Sequence, residues 1–200
     1  MKKTNVVLIY FVVSVFLAAL PAFGTPSPTE QLKPTLDKLV TILGDQELQG
    51  DEKKRERRQK IMSTIAERFD FQEMSKRVLG SPWRDINEEQ KKYFTELMTK
   101  LLENNYIGQL ENYSGQKIEY VGERIKDDKA QVSTLIENNG AIYPVHYIMS
   151  QEGERWLVYD INIEGVSLVR NYRAEFKSII RKDKYEGLVK ILEEKNKSFE

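Results

Sequence analysis

A change of periodicity at Ser114-Gly115 constrains this chain more than any other feature. Downstream, Lys117–Val121, Ala130–Glu137, Ile142–Ser150 and Arg155–Ile163 are short runs rich in β-branched and aromatic residues, as pleated strands require. The turn candidates Asp127-Asp128, Asn139-Gly140 and Glu152-Gly153 separate them, and Asn139-Gly140 is a strong hairpin signal. Connections this short make the sheet an antiparallel meander. Period two then places Val132, Thr134 and Ile136 on one face together with Val145, Tyr147 and Met149, which we take as inward. His146 and Ser150 point the other way, and Pro144, lacking a backbone donor, is expected at a strand start or edge position.

The last run continues through Trp156–Leu168 and is expected to leave the sheet at Gly165, where a sharp corner leads into a helix. Val166, Leu168, Val169, Tyr172, Phe176, Ile179 and Ile180 recur at helical spacing, and Leu188, Val189, Ile191 and Leu192 define a final helix. Upstream of the sheet the grammar is helical. Leu32, Leu36, Leu39, Val40 and Leu43 predict a first amphipathic helix stopped by Gly44, and a second starts near Asp51. Phe71–Leu79 is a short helix ended by Gly80. Asn87 and Gln90 have capping-box spacing ahead of a long helix whose stripe (Phe94, Leu97, Leu101, Leu102, Tyr106, Leu110, Tyr113) is wide enough to face a core and something else. The layout predicts an α+β fold, a curved antiparallel sheet of about four strands with helices packed on one face.

The N-terminus has the order of a secretory signal. Lys2 and Lys3 precede the apolar run Val6–Leu20, then Pro21 and the small-residue site Ala22-Phe23-Gly24. The run is shorter than the ~20 residues a spanning helix needs, which favours a cleaved signal over residues 1–24 and one mature domain over 25–200. Losing Lys2 and Lys3 from 31 basic residues leaves 29 against 31 acidic ones, which is no nucleic-acid profile. The chain has no cysteine, so an apolar core rather than disulfides must hold it together after export, and a bacterial periplasm suits that combination.

Catalytic groups are scarce. A nucleophile needs a base in reach, and the chain has one histidine, His146, with no partner implied by spacing. No His or Cys cluster suggests a metal, and no glycine-rich loop suggests a bound phosphate cofactor. Asp160 on an apolar strand could titrate unusually if buried, but a carboxylate near a strand end more often locks a corner through backbone or arginine hydrogen bonds, with Arg173 as one partner. The basic run Lys53–Arg58 reads as a solvated helix face or, in the alternative, as a patch for a membrane or an acidic partner.

Several motifs together resemble one family. Val78-Leu79-Gly80 with Trp83, Glu89-Gln90 with Phe94, Tyr106 with Tyr113-Ser114-Gly115, Trp156–Asp160, Glu164-Gly165-Val166-Ser167-Leu168 and Tyr172-Arg173 are similar to the MlaC (toluene-tolerance) family of periplasmic phospholipid-binding proteins. The resemblance spans nearly the whole mature chain, and the basic run departs from it. It implies a non-enzymatic, monomeric phospholipid carrier without cofactor. Such a carrier moves between an inner-membrane ABC transporter with an MCE-domain subunit and an outer-membrane lipoprotein complex, maintaining outer-membrane lipid asymmetry. It further implies an apolar pocket between helices and sheet. Wall candidates are Val132, Thr134, Ile136, Val145, Tyr147, Met149, Trp156 and Val158 of the sheet, facing Leu101, Tyr106 and Leu110, although each could equally be ordinary core.

Two other classes fit the same residues. One is a small enzyme on a nuclear-transport-factor-like scaffold using Asp160, and the other an adaptor that binds an acidic partner through Lys53–Arg58.

Overall fold

Ser27 opens the first helix. Its hydroxyl accepts from Glu30 N at 3.2 Å while the Glu30 carboxylate accepts from Ser27 N at 2.8 Å, a reciprocal cap that starts α1 (Pro28–Gly44). The computed structural model describes residues 26–111, 115, 117–138 and 140–199. The expected signal peptide, Tyr113-Ser114 and the turn residue Asn139 lie outside the described residues.

Four further helices follow, α2 (Lys54–Ala66), α3 (Phe71–Leu79), α4 (Glu88–Glu111) and α5 (Leu168–Lys197). The cap read from Asn87 and Gln90 is present, with reciprocal bonds of 2.9 and 3.0 Å at the start of α4. The two helices expected near the C-terminus form α5, broken at Lys184, where the backbone adopts φ 60° and ψ −160°. The break carries Asp183 Cβ to 2.2 Å from where a side chain at Gly187 would begin, so only glycine fits there.

The strands β1 (Lys117–Lys126), β2 (Lys129–Asn138), β3 (Ala141–Glu152), β4 (Arg155–Ile163) and β5 (Val166–Ser167) pair antiparallel in sequence order. The expectation of about four strands misses β5. Glu164 and Gly165 have φ of 50° and 87°, so the chain turns back in a two-residue hairpin before α5 begins, and Gly165 serves that hairpin rather than a direct corner into the helix. Pro144 lies at neither a strand start nor a sheet edge. It sits within central strand β3 opposite Leu135 of β2, and its carbonyl and nitrogen face the turn after β4, where Glu164 N donates to the carbonyl, so its missing donor falls just past the β3–β4 ladder. Farther back along β4, Phe69 forms a short parallel bridge with Val158.

Apolar side chains collect in three clusters. The largest joins α3, Trp83, α4 and α5, with Phe94, Phe176, Leu188 and Leu192 fully buried. A second lies between α1 and the sheet, where Leu32 and Leu36 cover Val132, Val145, Tyr147, Met149, Trp156 and Val158. The third joins α1, α2 and α4 through buried Leu43, Ile61 and Ile107, with Leu39, Ile42, Ile65 and Leu110 packed against them.

Asp160 is a corner lock through a backbone hydrogen bond, as expected, with a serine in place of the arginine partner. Its carboxylate accepts from Ser167 Oγ at 2.6 Å and from Val169 N at 3.0 Å, while Ser167 Oγ accepts from Arg170 N. The pair thus fastens the start of α5 to β4. Arg173, the partner proposed from sequence, instead places its guanidinium beside Gly80.

Candidate functional site

Phe94, Met98, Leu102, Tyr106 and Leu110 follow one another at four-residue spacing along α4, a row that drifts slowly round the helix. Phe94, Met98 and Leu101 lie in the large helical cluster, which Leu102 and Tyr106 also touch. The later part of the row, Leu102, Tyr106 and Leu110, borders a cavity of about 180 Å³. Met62 and Ile65 of α2 form the opposite wall, and Phe69, Phe71 and Met74 close one end. Ile161 and Ile163 of β4, Ile107 and Leu168 complete the lining, and Glu103 is its one ionisable carboxylate.

The polar tip of Tyr106 is tied to the helical core. Its phenol is pushed up to about 12, first by burial and then by the Tyr172 hydroxyl, which also accepts from Asn105 Nδ2 at 2.8 Å. At about 24 cal/mol per Å³, leaving such a cavity unfilled costs on the order of 4 kcal/mol, a large fraction of a small domain's stability.

Of the eleven wall residues expected from sequence, Tyr106 and Leu110 border this cavity. Leu101, 1% exposed, belongs to the large helical cluster. Val132, Thr134, Val145, Tyr147, Met149, Trp156 and Val158, with half-buried Ile136, form the sheet face beneath α1. Burial pushes the Tyr147 phenol up to about 12, against a hydrogen bond to Thr134 that lowers it. The cavity instead opens near the end of β4, where α1 no longer covers the sheet.

A bulge explains why Ile161 and Ile163 escaped the pattern. Met149 pairs with Val158 but Ile148 pairs with Asp160, leaving Tyr159 as the extra residue. Alternation from Trp156 and Val158 therefore shifts by one, carrying Ile161 and Ile163 to the α1 face and Asp160 to the other. Ile61, Met62, Ile65 and Phe69 recur as the apolar positions of the expected second helix, but that Met62, Ile65 and Phe69 border a cavity follows only from tertiary packing.

The basic run divides between interior and surface. Arg57 is 8% exposed, donating to Leu48 O at 2.6 Å and to Glu111 at 3.1 Å, while Arg58 reaches Glu111 through Nε at 3.2 Å and Nη2 at 2.9 Å. Burial alone would raise the Glu111 carboxyl, but hydrogen bonds and charge from the two arginines hold it below its ordinary value of 4.5. The reading of the run as a solvated face fails for Arg57, whose ion pair fastens α2 to the end of α4. Lys53 and Lys60 pair with Glu56 on the surface, and Lys54 and Arg55 have no carboxylate partner among the described residues.

Among the described residues no group of His, Cys, Asp and Glu could hold a metal ion, and no helix is long and apolar enough to cross a membrane. His146 Nδ1 lies 3.0 Å from Ser133 Oγ, on the face away from α1.

Helices packed against an antiparallel sheet, with an apolar cavity between them and the buried aspartate committed to a structural corner, define an α+β protein of one family. Residues 33–194 match the family described as MlaC protein, and the chain belongs to that family. It is similar to the intermembrane phospholipid transport system binding protein MlaC of Haemophilus influenzae, with 24% identity over 193 residues covering 91% of this chain and 88% of the relative. It also resembles the toluene tolerance protein ttg2D of Pseudomonas putida, at 28% identity over 102 residues, 50% of this chain and 47% of that one. Among solved structures, a phospholipid-binding protein from Ralstonia solanacearum, determined in complex with a phospholipid, matches with a TM-score of 0.79 and 29% identity. The match covers 87% of this chain and 99% of that one.

Proposed function

We propose that this protein is a non-enzymatic phospholipid carrier. The observation that carries the reading is the apolar cavity of about 180 Å³ between α2, α4 and β4, with Glu103 as its only carboxylate. Membership of the MlaC family and the similarity to a phospholipid-bound structure support the choice of ligand. The reading includes export through a signal peptide over residues 1–24, and exchange in the periplasm between an inner-membrane ABC transporter with an MCE-domain subunit and an outer-membrane lipoprotein complex. The resulting activity is maintenance of outer-membrane lipid asymmetry.

The physics sets the mechanism's demands. Each methylene removed from water contributes about 0.8 kcal/mol, so two acyl chains need shielding worth on the order of 20 kcal/mol. Small-molecule pockets typically occupy ~300–1,000 Å³, so the present cavity must widen to take two chains. The α2 part of its wall is held by Leu43, Ile61 and Ile107, with Leu39, Ile42, Ile65 and Leu110 packed against them, and by the Glu111 ion pairs. Phe69, Ile161 and Ile163 also pack against the sheet cluster under α1. Displacing α2 and α1 would therefore extend the cavity towards Val158, Met149 and Tyr147, drawing the sheet residues expected from sequence into the wall. Met62 and Met74, unbranched and adaptable, suit a wall that changes shape.

Solvent extraction and mass spectrometry of protein purified without detergent test this reading. Phospholipid in near one-to-one ratio is the expected result. Protein that neither retains lipid nor takes it up from vesicles would refute it.

A further inference from the structure

A second concavity adjoins the cavity, and its chemistry is opposite. An open groove of about 820 Å³ runs between α2 and α4, and Lys54, Arg55, Arg58 and Lys100 line it against the carboxylates Asp51 and Glu103. Met62 and Glu103 border both spaces, so the basic groove meets the apolar cavity at a shared rim. Arg58 is already oriented there by Glu111, which engages its Nε and Nη2 and leaves Nη1 without a partner among the described residues. Lys54 and Arg55 are exposed and carry no ion pair among the described residues.

We propose that this groove binds the phosphate of an amphiphile whose tails occupy the cavity, an inference that rests on the carrier reading above. Amphiphile recognition needs a dry compartment for chains and, within a few ångströms, donors for an oxyanion. Guanidinium groups provide such donors in a planar fork matched to phosphate oxygens, and lysine adds a point charge. Glu103, at 3.4 Å from Lys100 Nζ, marks the boundary where the lining changes from apolar to charged. The basic run therefore has two roles: Arg57 holds α2 in place, and Lys54, Arg55 and Arg58 read the headgroup phosphate.

The test compares the wild-type protein with a Lys54→Gln/Arg55→Gln double variant, whose altered side chains are exposed and whose folding is checked by thermal melting. Binding of phosphatidic acid and of diacylglycerol with identical fluorescent tails is measured from phosphatidylcholine vesicles, and the readout is the ratio of the two affinities. Wild type is expected to favour phosphatidic acid by about fivefold or more, with the preference falling as salt rises from about 50 to 500 mM. The double variant is expected to bring the ratio below about twofold. Soluble glycerol phosphate, lacking tails, is expected to bind at least about a hundredfold more weakly than phosphatidic acid, because it leaves the cavity unfilled.

A variant that keeps the full preference, as it would if the groove served an acidic protein partner, overturns the proposal. Wild type that binds both lipids equally overturns it while leaving the carrier reading intact. Glycerol phosphate binding as tightly as phosphatidic acid overturns it in favour of a free-phosphate site. Binding of neither lipid overturns this proposal and the carrier reading together.

Discussion

The helical core around Phe94, Phe176 and Leu188 and the seam between α2, α4 and β4 share one helix but are built to different standards. Around the first half of α4, Phe94 contacts Trp83 edge-on at 6.4 Å and Tyr185 at 6.2 Å, Phe176 stacks near Tyr172 at 5.7 Å, and nothing of this cluster's centre is exposed. Around its second half, Leu102, Tyr106 and Leu110 border a cavity of about 180 Å³ whose far wall, α2, is held by Leu43, Ile61 and Ile107 with Leu39, Ile42 and Ile65 packed round them, and by the Glu111 ion pairs. Close packing stabilises and specifies, whereas incomplete packing reserves space. The contrast teaches that close packing and reserved space follow one another along a single helix, with Leu102 and Tyr106 shared by the core and the cavity.

Breaking the packed side should produce the largest effect. Phe176→Ala is expected to destabilise the protein by about 3–5 kcal/mol in urea unfolding, the usual range for a fully buried phenylalanine. Next comes the corner that aims α5 from β4. Asp160→Asn retains size but loses the charge that accepts from Ser167 and Val169, and is expected to cost about 1–3 kcal/mol. A loss confined to stability separates a corner lock from the enzyme reading of the same aspartate, which requires lost turnover in a variant that folds as wild type does.

The seam's fastening is sensitive to pH. Because the native Glu111 carboxyl lies below its ordinary value of 4.5, its contribution to stability is present above that pH and is lost as pH falls through the lowered native value. Glu111→Gln is expected to cost about 1–2 kcal/mol at neutral pH, and to flatten the pH dependence of the melting temperature below 4.5. Removing this clamp should also speed lipid uptake from vesicles, since α2 must move for the cavity to widen. The smallest effect on stability is expected from filling the space. Leu110→Trp should change the unfolding free energy by less than about 1.5 kcal/mol, yet remove most co-purified lipid measured by extraction and mass spectrometry.

Much of this contrast was visible in the chain itself, because it lies in local periodicities. The wide stripe of α4, the capping pair Asn87 and Gln90, the inward face Val132–Thr134–Ile136 and the break near the C-terminus all follow from spacing alone. The site was only partly legible. Tyr106 and Leu110 were readable from α4, but the bulge at Tyr159 breaks period two without changing residue type, hiding Ile161 and Ile163. Two-residue β5 is too short to have a pattern. The partnership of Arg57 with Glu111 joins residues 54 positions apart, and no local rule connects them. A sequence shows which face of an element is apolar; where two such faces leave a gap depends on distances set by the whole fold.

The central claim is the location of the acyl chains, and photo-crosslinking tests it most directly. A phospholipid carrying a diazirine at the end of one acyl chain is loaded into the protein from vesicles, irradiated, and mapped by peptide mass spectrometry. Adducts are expected on the segments containing Met62–Met74 and Leu102–Leu110, with weaker labelling of the strand containing Ile161. Adducts concentrated on the opposite sheet face around His146 and Ile148, or spread over the surface, would contradict the cavity as the lipid's site.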